Sequence, residues 1–374
     1  MAAFDRHPYM PGTAGTSHMD MIRILGAGPA GLSAAVTLAK AGYNVEVYEK
    51  REDAGMRFKG DLQGLENWSD PTDVIERLEM IGIRPAFEHR PYPCLSVSDG
   101  QEVLPFACQK PAFYLVRRGS EPGSLDHALK EQAHDAGAEI RFNETLPEEK
   151  ADIVATGPDR RGVHAVAKGY TFSTSMDDLA YGLVNTAASR NGYAYLLVMN
   201  GRGCLCTMLT RCFDEAGACL AEAEQTFSRL VDLEVRDPEP CGGVGRFVLP
   251  PHFQDQGRRY AGEAAGLQDP FWGFGILYAL RSGHLAAQSI IKDLDYGHAA
   301  EEAFGDLLKA GVVNRYLWDR YGPENYAGIY RRLRGVTDPL PYLRSFYTFN
   351  TYQRLLYRKA RRHMKERYGT VPAA

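Results

Sequence analysis

No apolar run in this chain approaches the ~18 residues that a membrane-spanning helix needs, and no charged, apolar and small-residue succession of a signal peptide opens it. A cytoplasmic protein is the expectation. Neither sign of charge dominates: 43 Lys and Arg stand against 47 Asp and Glu, a net charge of −4. That balance leaves no chain-wide electrostatic footprint for nucleic acid. Cysteine is sparse and odd in number. The seven (Cys94, Cys108, Cys204, Cys206, Cys212, Cys219, Cys241) include no CxxC pair, so no metal site is expected and the chain is read as reduced. Periodicity is missing from residues 1–20, where Gly15-Thr16-Ser17-His18-Met19 resembles a cloning junction. That stretch is read as a tag or disordered leader. What remains is ordinary for a globular protein, 44% hydrophobic and 24% charged, and long enough for two domains or one composite domain.

What is present begins at residue 21. Met21 to Leu25 reads as a buried parallel strand, and Gly26-Ala27-Gly28-Pro29-Ala30-Gly31 follows without a spacer. An Ala/Leu-rich helix then runs to Gly42, and Val45 to Tyr48 makes a second strand ending at Glu49. Gly26 permits the tight turn, Gly28 lets a pyrophosphate approach the backbone, and Gly31 lets the helix lie close on the sheet. Free N–H groups and the positive end of the helix dipole hold phosphate charge there. Glu49 stands where an acid accepts hydrogen bonds from an adenosine ribose and repels a 2′-phosphate, favouring FAD or NAD over NADP. Lys50 follows it, and Arg57 lies in the next glycine-bearing loop. Two readings of Arg57 stand, a phosphate contact and a solvated loop residue.

Further along, residues 71 to 82 read as a helix starting near Thr72 or Asp73. Phe113 to Val116 reads as a strand with Arg117 and Arg118 at its end, and Ser124 caps an amphipathic helix closed by Gly137. Ala151 to Ala155 is a strand that ends in Thr156-Gly157, at the edge of an open parallel sheet where ligands sit. Two alternating runs, Tyr193 to Met199 and Cys204 to Leu209, flank Asn200-Gly201 and predict a hairpin. The face carrying Tyr193, Tyr195, Leu197 and Met199 either packs the core or walls an apolar substrate. Cys206 and Trp272 join Tyr193 and Tyr195 as pocket candidates; no catalytic residue is assigned.

A second glycine-bearing turn comes late. Gly262-Glu263-Ala264-Ala265-Gly266 leads through Pro270 to Gly273-Phe274-Gly275-Ile276, and a helix follows from Leu277 to Leu294. Its N-terminus offers backbone N–H groups able to stabilise negative charge on a reduced ring.

With these pieces the chain resembles the FAD-dependent family that shares the para-hydroxybenzoate hydroxylase fold, and within it the geranylgeranyl reductase-like branch. The matching segments are Gly26 to Gly31, Glu49, Tyr114 to Arg118 with Leu125-Asp126, Ala155-Thr156-Gly157, and Gly262 to Gly266 with Pro270 and Gly273 to Ile276. They span residues 21 to about 294. The resemblance implies an α/β fold: a Rossmann-type FAD-binding domain (21–157 and 259–295), an inserted antiparallel α+β substrate domain (158–258) and a helical C-terminal region (296–374). It implies that Gly26, Gly28, Pro29, Ala30 and Gly31 hold the FAD pyrophosphate and Glu49 the ribose. Arg118, rather than Arg117, touches the cofactor. Gly262 and Glu263 reach the ribityl chain, and Gly273, Gly275 and Ile276 face the flavin's pyrimidine edge. Glu263 replaces the family's usual aspartate. The YxWxFP segment of lipid-reducing members appears only as Tyr193-Ala194-Tyr195-Leu196-Leu197-Val198.

The implied activity is hydride transfer between the flavin N5 and an apolar small molecule, at a C=C bond or in the reverse direction. NAD(P)H or a reduced electron carrier would be the donor. An NAD(P)H- and O₂-dependent monooxygenase acting on an aromatic substrate is the alternative, and a non-catalytic flavin-binding partner protein is the second. Residues 351 to 368 are strongly basic and read as a helix, either solvated on the body or peripheral to an anionic membrane.

Overall fold

The computed structural model describes residues 21–158, 162–247, 251–322, 328 and 334–369. The first half runs β1 (Met21–Leu25), α1 (Pro29–Lys40), β2 (Asn44–Glu49), β3 (Leu62–Glu66), α2 (Val74–Met80), β4 (His89–Tyr92), β5 (Cys94–Ser98), β6 (Val103–Ala107), β7 (Phe113–Arg117), α3 (Leu125–Asp135), β8 (Glu139–Phe142) and β9 (Ile153–Val154). The second half runs β10 (Ala165–Ser173), β11 (Leu179–Leu183), β12 (Tyr193–Met199), β13 (Arg202–Leu209), α4 (Ala216–Leu230), β14 (Arg236–Gly245), β15 (Gln254–Asp255), β16 (Arg258–Tyr260), α5 (Ile276–Ile291), α6 (Tyr296–Tyr321), α7 (Leu340–Ser345) and α8 (Thr351–Tyr368).

Three sheets organise these elements. The first has the order β15-β16-β9-β1-β2-β8 and is parallel except at the β15–β16 edge. In it Ile24 pairs with Val47 on one side and Ile153 on the other, and all three are fully buried. A parallel sheet covered on both faces needs such unbroken apolar strands. Helix α1 lies between this sheet and α5, with Ser33 donating to the Leu280 carbonyl at 2.7 Å.

The second sheet has the order β14-β10-β13-β12-β11-β5-β6 and is antiparallel except where β11 meets β5. It draws on residues 94–107 as well as on the segment between 165 and 245. Residues 254–260, by contrast, pair into the first sheet through β9. The β12–β13 hairpin turns at Asn200 and Gly201, both with positive φ (52° and 75°), as a right-handed strand twist requires of a two-residue turn. The third sheet has the order β3-β7-β4 and is antiparallel.

Local signals set the helix boundaries. Asp73 caps α2 by accepting from the Ile75 amide, and Ser124 caps α3 by accepting from His127. Asn350 and Gln353 form a reciprocal capping box at α8, which satisfies two otherwise orphaned donors. The helices expected over 71–82 and 277–294 are observed as Val74–Met80 and Ile276–Ile291. Beyond residue 295 the described residues are mainly helical, as expected for the C-terminal region. Among the described residues no helix is long and apolar enough to cross a membrane.

Candidate active site

A cavity of about 1100 Å³ lies where the three sheets meet. It begins at the carboxyl edge of the first sheet. The Gly26 amide donates to the Tyr48 carbonyl at 2.8 Å, and its φ of +106° suits a residue without Cβ. The chain can therefore leave β1 sharply and start α1 at Pro29, with Gly28 at the N-cap and no side chain capping it. A Cβ placed on Gly28 would have no atom within 4 Å, so the first turn of α1 is open to the cavity. Proline fits there because its missing N–H would be an orphan anyway.

Of the residues singled out in the sequence, Gly26, Gly28, Pro29, Ala30, Glu49, Lys50, Arg57, Arg118, Thr156, Gly157, Gly262, Glu263, Gly273, Gly275 and Ile276 all line this cavity. Gly31 does not. It sits behind the wall, where an added Cβ would lie 1.9 Å from the Gly26 carbonyl oxygen. Its part is the close approach of helix and strand.

Glu49 reaches back to the loop. One carboxylate oxygen accepts from the Ala27 amide at 3.0 Å and the other from Arg51 at 3.1 Å. Each oxygen keeps a second acceptor site. Arg118 is buried and bidentate to Asp126 at 2.8 Å on both bonds, with a third bond to Gln63 and its guanidinium 4.2 Å from the Phe58 ring centre. Arg117 turns away to Glu88. Arg57 pairs with Glu263 at 3.1 Å and also donates to the Val244 carbonyl. The two residues expected at the phosphates and the ribityl chain thus bond each other across the cavity.

At the far end α5 opens onto the same space with Gly275 as its N-cap. The turn before it is built on Asp269, which sequence reasoning overlooked. This buried carboxylate accepts from the Phe271 amide (3.1 Å), the Trp272 amide (2.8 Å) and the Tyr347 hydroxyl (2.9 Å). Only the Asp-Pro pair ahead of the turn marked it. Burial raises its pKa to about 6 against the pull of those three bonds.

The consequence for stability has a definite sign. The unfolded carboxyl loses its proton near pH ~3.9, whereas the folded one keeps it to about 6. Asp269 therefore makes stability fall as pH rises from ~4 to ~6 and contributes no slope above that. Asp61 is also raised to about 6, by burial first, and adds to the same slope. The measurement is thus a difference: urea midpoints of the parent and Asp269→Asn across pH 4 to 7 should diverge in slope between 4 and 6 only.

The wall opposite the first sheet is aromatic. Along β12, Ala194, Leu196 and Val198 are buried against Ala223 and Phe227 of α4, while Tyr193, Tyr195 and Leu197 line the cavity. Of the two readings of that face, the structure turns these three side chains to the cavity; Met199, at the end of the strand, is buried. Tyr193 donates to the Trp272 carbonyl at 2.5 Å, and their rings meet edge to face at 5.5 Å. Burial raises the phenol pKa of both tyrosines. Cys206 and Trp272 line the same wall. Asp61, Gln63, Phe58 and Leu343 also line it and carried no sequence signal, since they arrive from β3, its preceding loop and α7.

Solved structures share this architecture. A geranylgeranyl bacteriochlorophyll reductase-like protein of Thermoplasma acidophilum superposes with a TM-score of 0.69, at 16% identity over 94% of this chain and 97% of that one. The chain has the fold of the flavin-dependent reductases and monooxygenases. A flavin-dependent brominase matches it at a TM-score of 0.65 and 16% identity over 94% and all of the respective chains. PqsL of Pseudomonas aeruginosa, described as a probable FAD-dependent monooxygenase, matches at 0.58 and 16% over 84% of this chain and all of that one. Residues 24–62 of this flavoprotein-fold chain match the NAD(P)-binding Rossmann-like domain family. A segment of 79 residues is 37% identical to the NAD-dependent dihydropyrimidine dehydrogenase subunit PreT of Escherichia coli strain K12, taking in 20% of this chain. That match spans only 18% of the PreT subunit's length.

Proposed function

We propose that this chain is an FAD-dependent oxidoreductase acting on an apolar small molecule. One observation carries the reading. Two helix N-termini, α1 at Gly28 and α5 at Gly275, open onto a single cavity of about 1100 Å³, one wall of which carries Tyr193, Tyr195, Leu197 and Trp272. Anionic groups are favoured at both ends, and an extended dinucleotide with a ring system at one end meets that demand. FAD, when bound, supplies two-electron redox chemistry; the chain supplies position and electrostatics. The first turn of α1 would hold the pyrophosphate and Glu49 the ribose hydroxyls, and the Arg57–Glu263 pair would have to part or shift for the ribityl chain. The amides of Gly275 and Ile276 would stabilise negative charge at the ring. Tyr193, Tyr195, Leu197 and Trp272 exclude water and hold the substrate.

Hydride transfer to or from a C=C bond is the favoured reaction. The likeness to a brominase and to a probable monooxygenase supports oxygenation as the second reading. Purified protein should release FAD on heat denaturation, and the bound flavin should bleach on addition of NAD(P)H or dithionite. A colourless protein, or a flavin inert to both reductants, would overturn the proposal. Turnover under ¹⁸O₂ separates the two reactions, because only oxygenation places label in the product.

Helix α8 carries a further proposed contact, with an anionic membrane surface. Its outer side exposes Arg358, Lys359, Arg361, Arg362 and Lys365, and its start exposes Leu355 (78%) and Tyr352 (60%). Each basic residue near such a surface contributes about 1 kcal/mol. Replacing those five basic residues by glutamate should abolish low-salt co-sedimentation with phosphatidylserine vesicles. Unchanged sedimentation would count against the contact.

A further inference from the structure

Three of the seven cysteines meet at the cavity wall. Cys204 and Cys206 lie two apart on β13, and Cys241 lies on β14, with β10 between those strands. Their sulfurs nevertheless converge: Cys204 Sγ is 3.7 Å from Cys206 Sγ, which is 3.5 Å from Cys241 Sγ. All three lie within 4.8 Å of one another. The reason is a gap in the intervening strand. Gly169 of β10 is the register partner of Cys206 on one side and of Cys241 on the other. A Cβ there would stand 2.2 Å from Cys206 Sγ. The missing side chain leaves room for the Cys206 thiol, and Cys241 faces the same residue from the other edge of β10.

That placement excludes a disulfide between Cys206 and Cys241. Strands two apart in a sheet are about 9.5 Å distant, beyond the ~7 Å of Cα separation that a disulfide tolerates. The sulfur spacing fits something else. Zinc–thiolate bonds of about 2.3 Å in a tetrahedron put sulfur atoms about 3.8 Å apart, close to the 3.7 and 3.5 Å observed. Oxygen donors are at hand: the Asp61 carboxyl stands against Cys241 and the Tyr195 hydroxyl against Cys206.

The geometry points to a three-thiolate site, Cys204, Cys206 and Cys241, for a thiophilic d¹⁰ cation of the zinc kind, with the fourth position left to a ligand from the cavity. Soft sulfur ligands select such ions over magnesium or calcium. Because Cys206 and Asp61 both line the cavity, the ion would border the space proposed for the substrate. The inference does not depend on the flavin reading, and its test does not read the flavin.

Titration of the reduced, full-length protein with Cd²⁺ should produce thiolate-to-cadmium charge-transfer absorption that saturates at one equivalent, and Zn²⁺ should compete it away. Cys206→Ser, nearly isosteric, should weaken binding at least a hundredfold. Cys94→Ser and Cys212→Ser, at exposed positions, should change nothing. The proposal is overturned if the parent shows no saturable band, if the band survives Cys206→Ser, or if mass analysis finds the thiols joined as a disulfide instead.

Discussion

Gly28→Val is expected to leave the fold intact and to weaken FAD binding by about a hundredfold, or ~2.7 kcal/mol. The position is at the N-cap of α1 with open cavity around it, and an added Cβ meets nothing within 4 Å. A branched side chain there stands between the phosphate and the backbone amides that would hold it, without displacing any protein atom. Gly31→Ala should behave in the opposite way. Its Cβ would lie 1.9 Å from the Gly26 carbonyl oxygen and 3.3 Å from the Ile24 side chain, so helix and strand must separate. Overpacking of this kind costs about 1–3 kcal/mol and occasionally more, here at the centre of the first sheet. Thermal midpoints and flavin fluorescence titrations of both variants check the pair. Equal loss of stability in the two would mean that Gly28 is a packing residue after all, and that the first turn of α1 is no anion site.

The second large effect belongs to Asp319, whose side chain is wholly buried in α6. It accepts from Arg315 one turn earlier, from Asn191 at 2.8 Å, and from His363 (2.9 Å) and Tyr368 (3.1 Å) on α8; Arg367 stands 3.5 Å away. Arg315 is itself only 1% exposed. Asp319→Ala would strand that guanidinium without its counter-charge, a loss of about 3–5 kcal/mol, and would release α8 from the body. Burial alone would raise the Asp319 pKa, but Arg315 and Arg367, with the hydrogen bonds, hold it below the usual carboxylate value. The stabilisation is therefore complete above pH ~3.9 and is lost as pH falls through the lower folded value. Guanidinium unfolding of the parent, Asp319→Ala and Asp319→Asn at pH 7 and pH 3 tests this. A loss below ~1 kcal/mol at pH 7 would show that the cluster is not what fastens the C-terminal helix.

The same cluster bears on the basic helix. From sequence, α8 reads either as a solvated helix on the body or as a membrane-facing one. The structure fastens one side through His363, Arg367 and Tyr368 and leaves the other side exposed. Lying on the body and facing a membrane are thus compatible, and the charge-reversal variants probe only the free side.

Much of the nucleotide half was legible in advance because its signals are local. Strand, glycine turn, helix and acidic strand end lie within 29 residues, and each is dictated by neighbours a few positions away. Gly26 needs its positive φ, Pro29 suits a first helical turn, and Glu49 ends its strand beside the loop it bonds. The β12–β13 hairpin was legible for the same reason, since Asn200-Gly201 sets the turn and the alternation sets the faces. Alternation alone, however, does not say which face looks into a cavity. That was decided when α4 covered Ala194, Leu196 and Val198 and left the tyrosines to the open side.

The rest depended on register between distant strands and on burial. Nothing near Asp269 or Asp319 announces a partner in the turn after α7 or in α8, because those contacts cross about 80 and 50 residues of chain. Residues 94–107 joined the seven-stranded sheet through a parallel pairing that no hairpin signal foretold. The cysteines show the limit most sharply: their spacing lacks any metal motif, yet Gly169 brings three sulfurs together across strands that do not touch. Sequence alone determined the first strand, its glycine turn, the helix after it and the β12–β13 turn, since these follow from backbone sterics and period over a few residues. Which side chains face one another was decided only by packing, whose free energy exists only once the sheets close on the cavity.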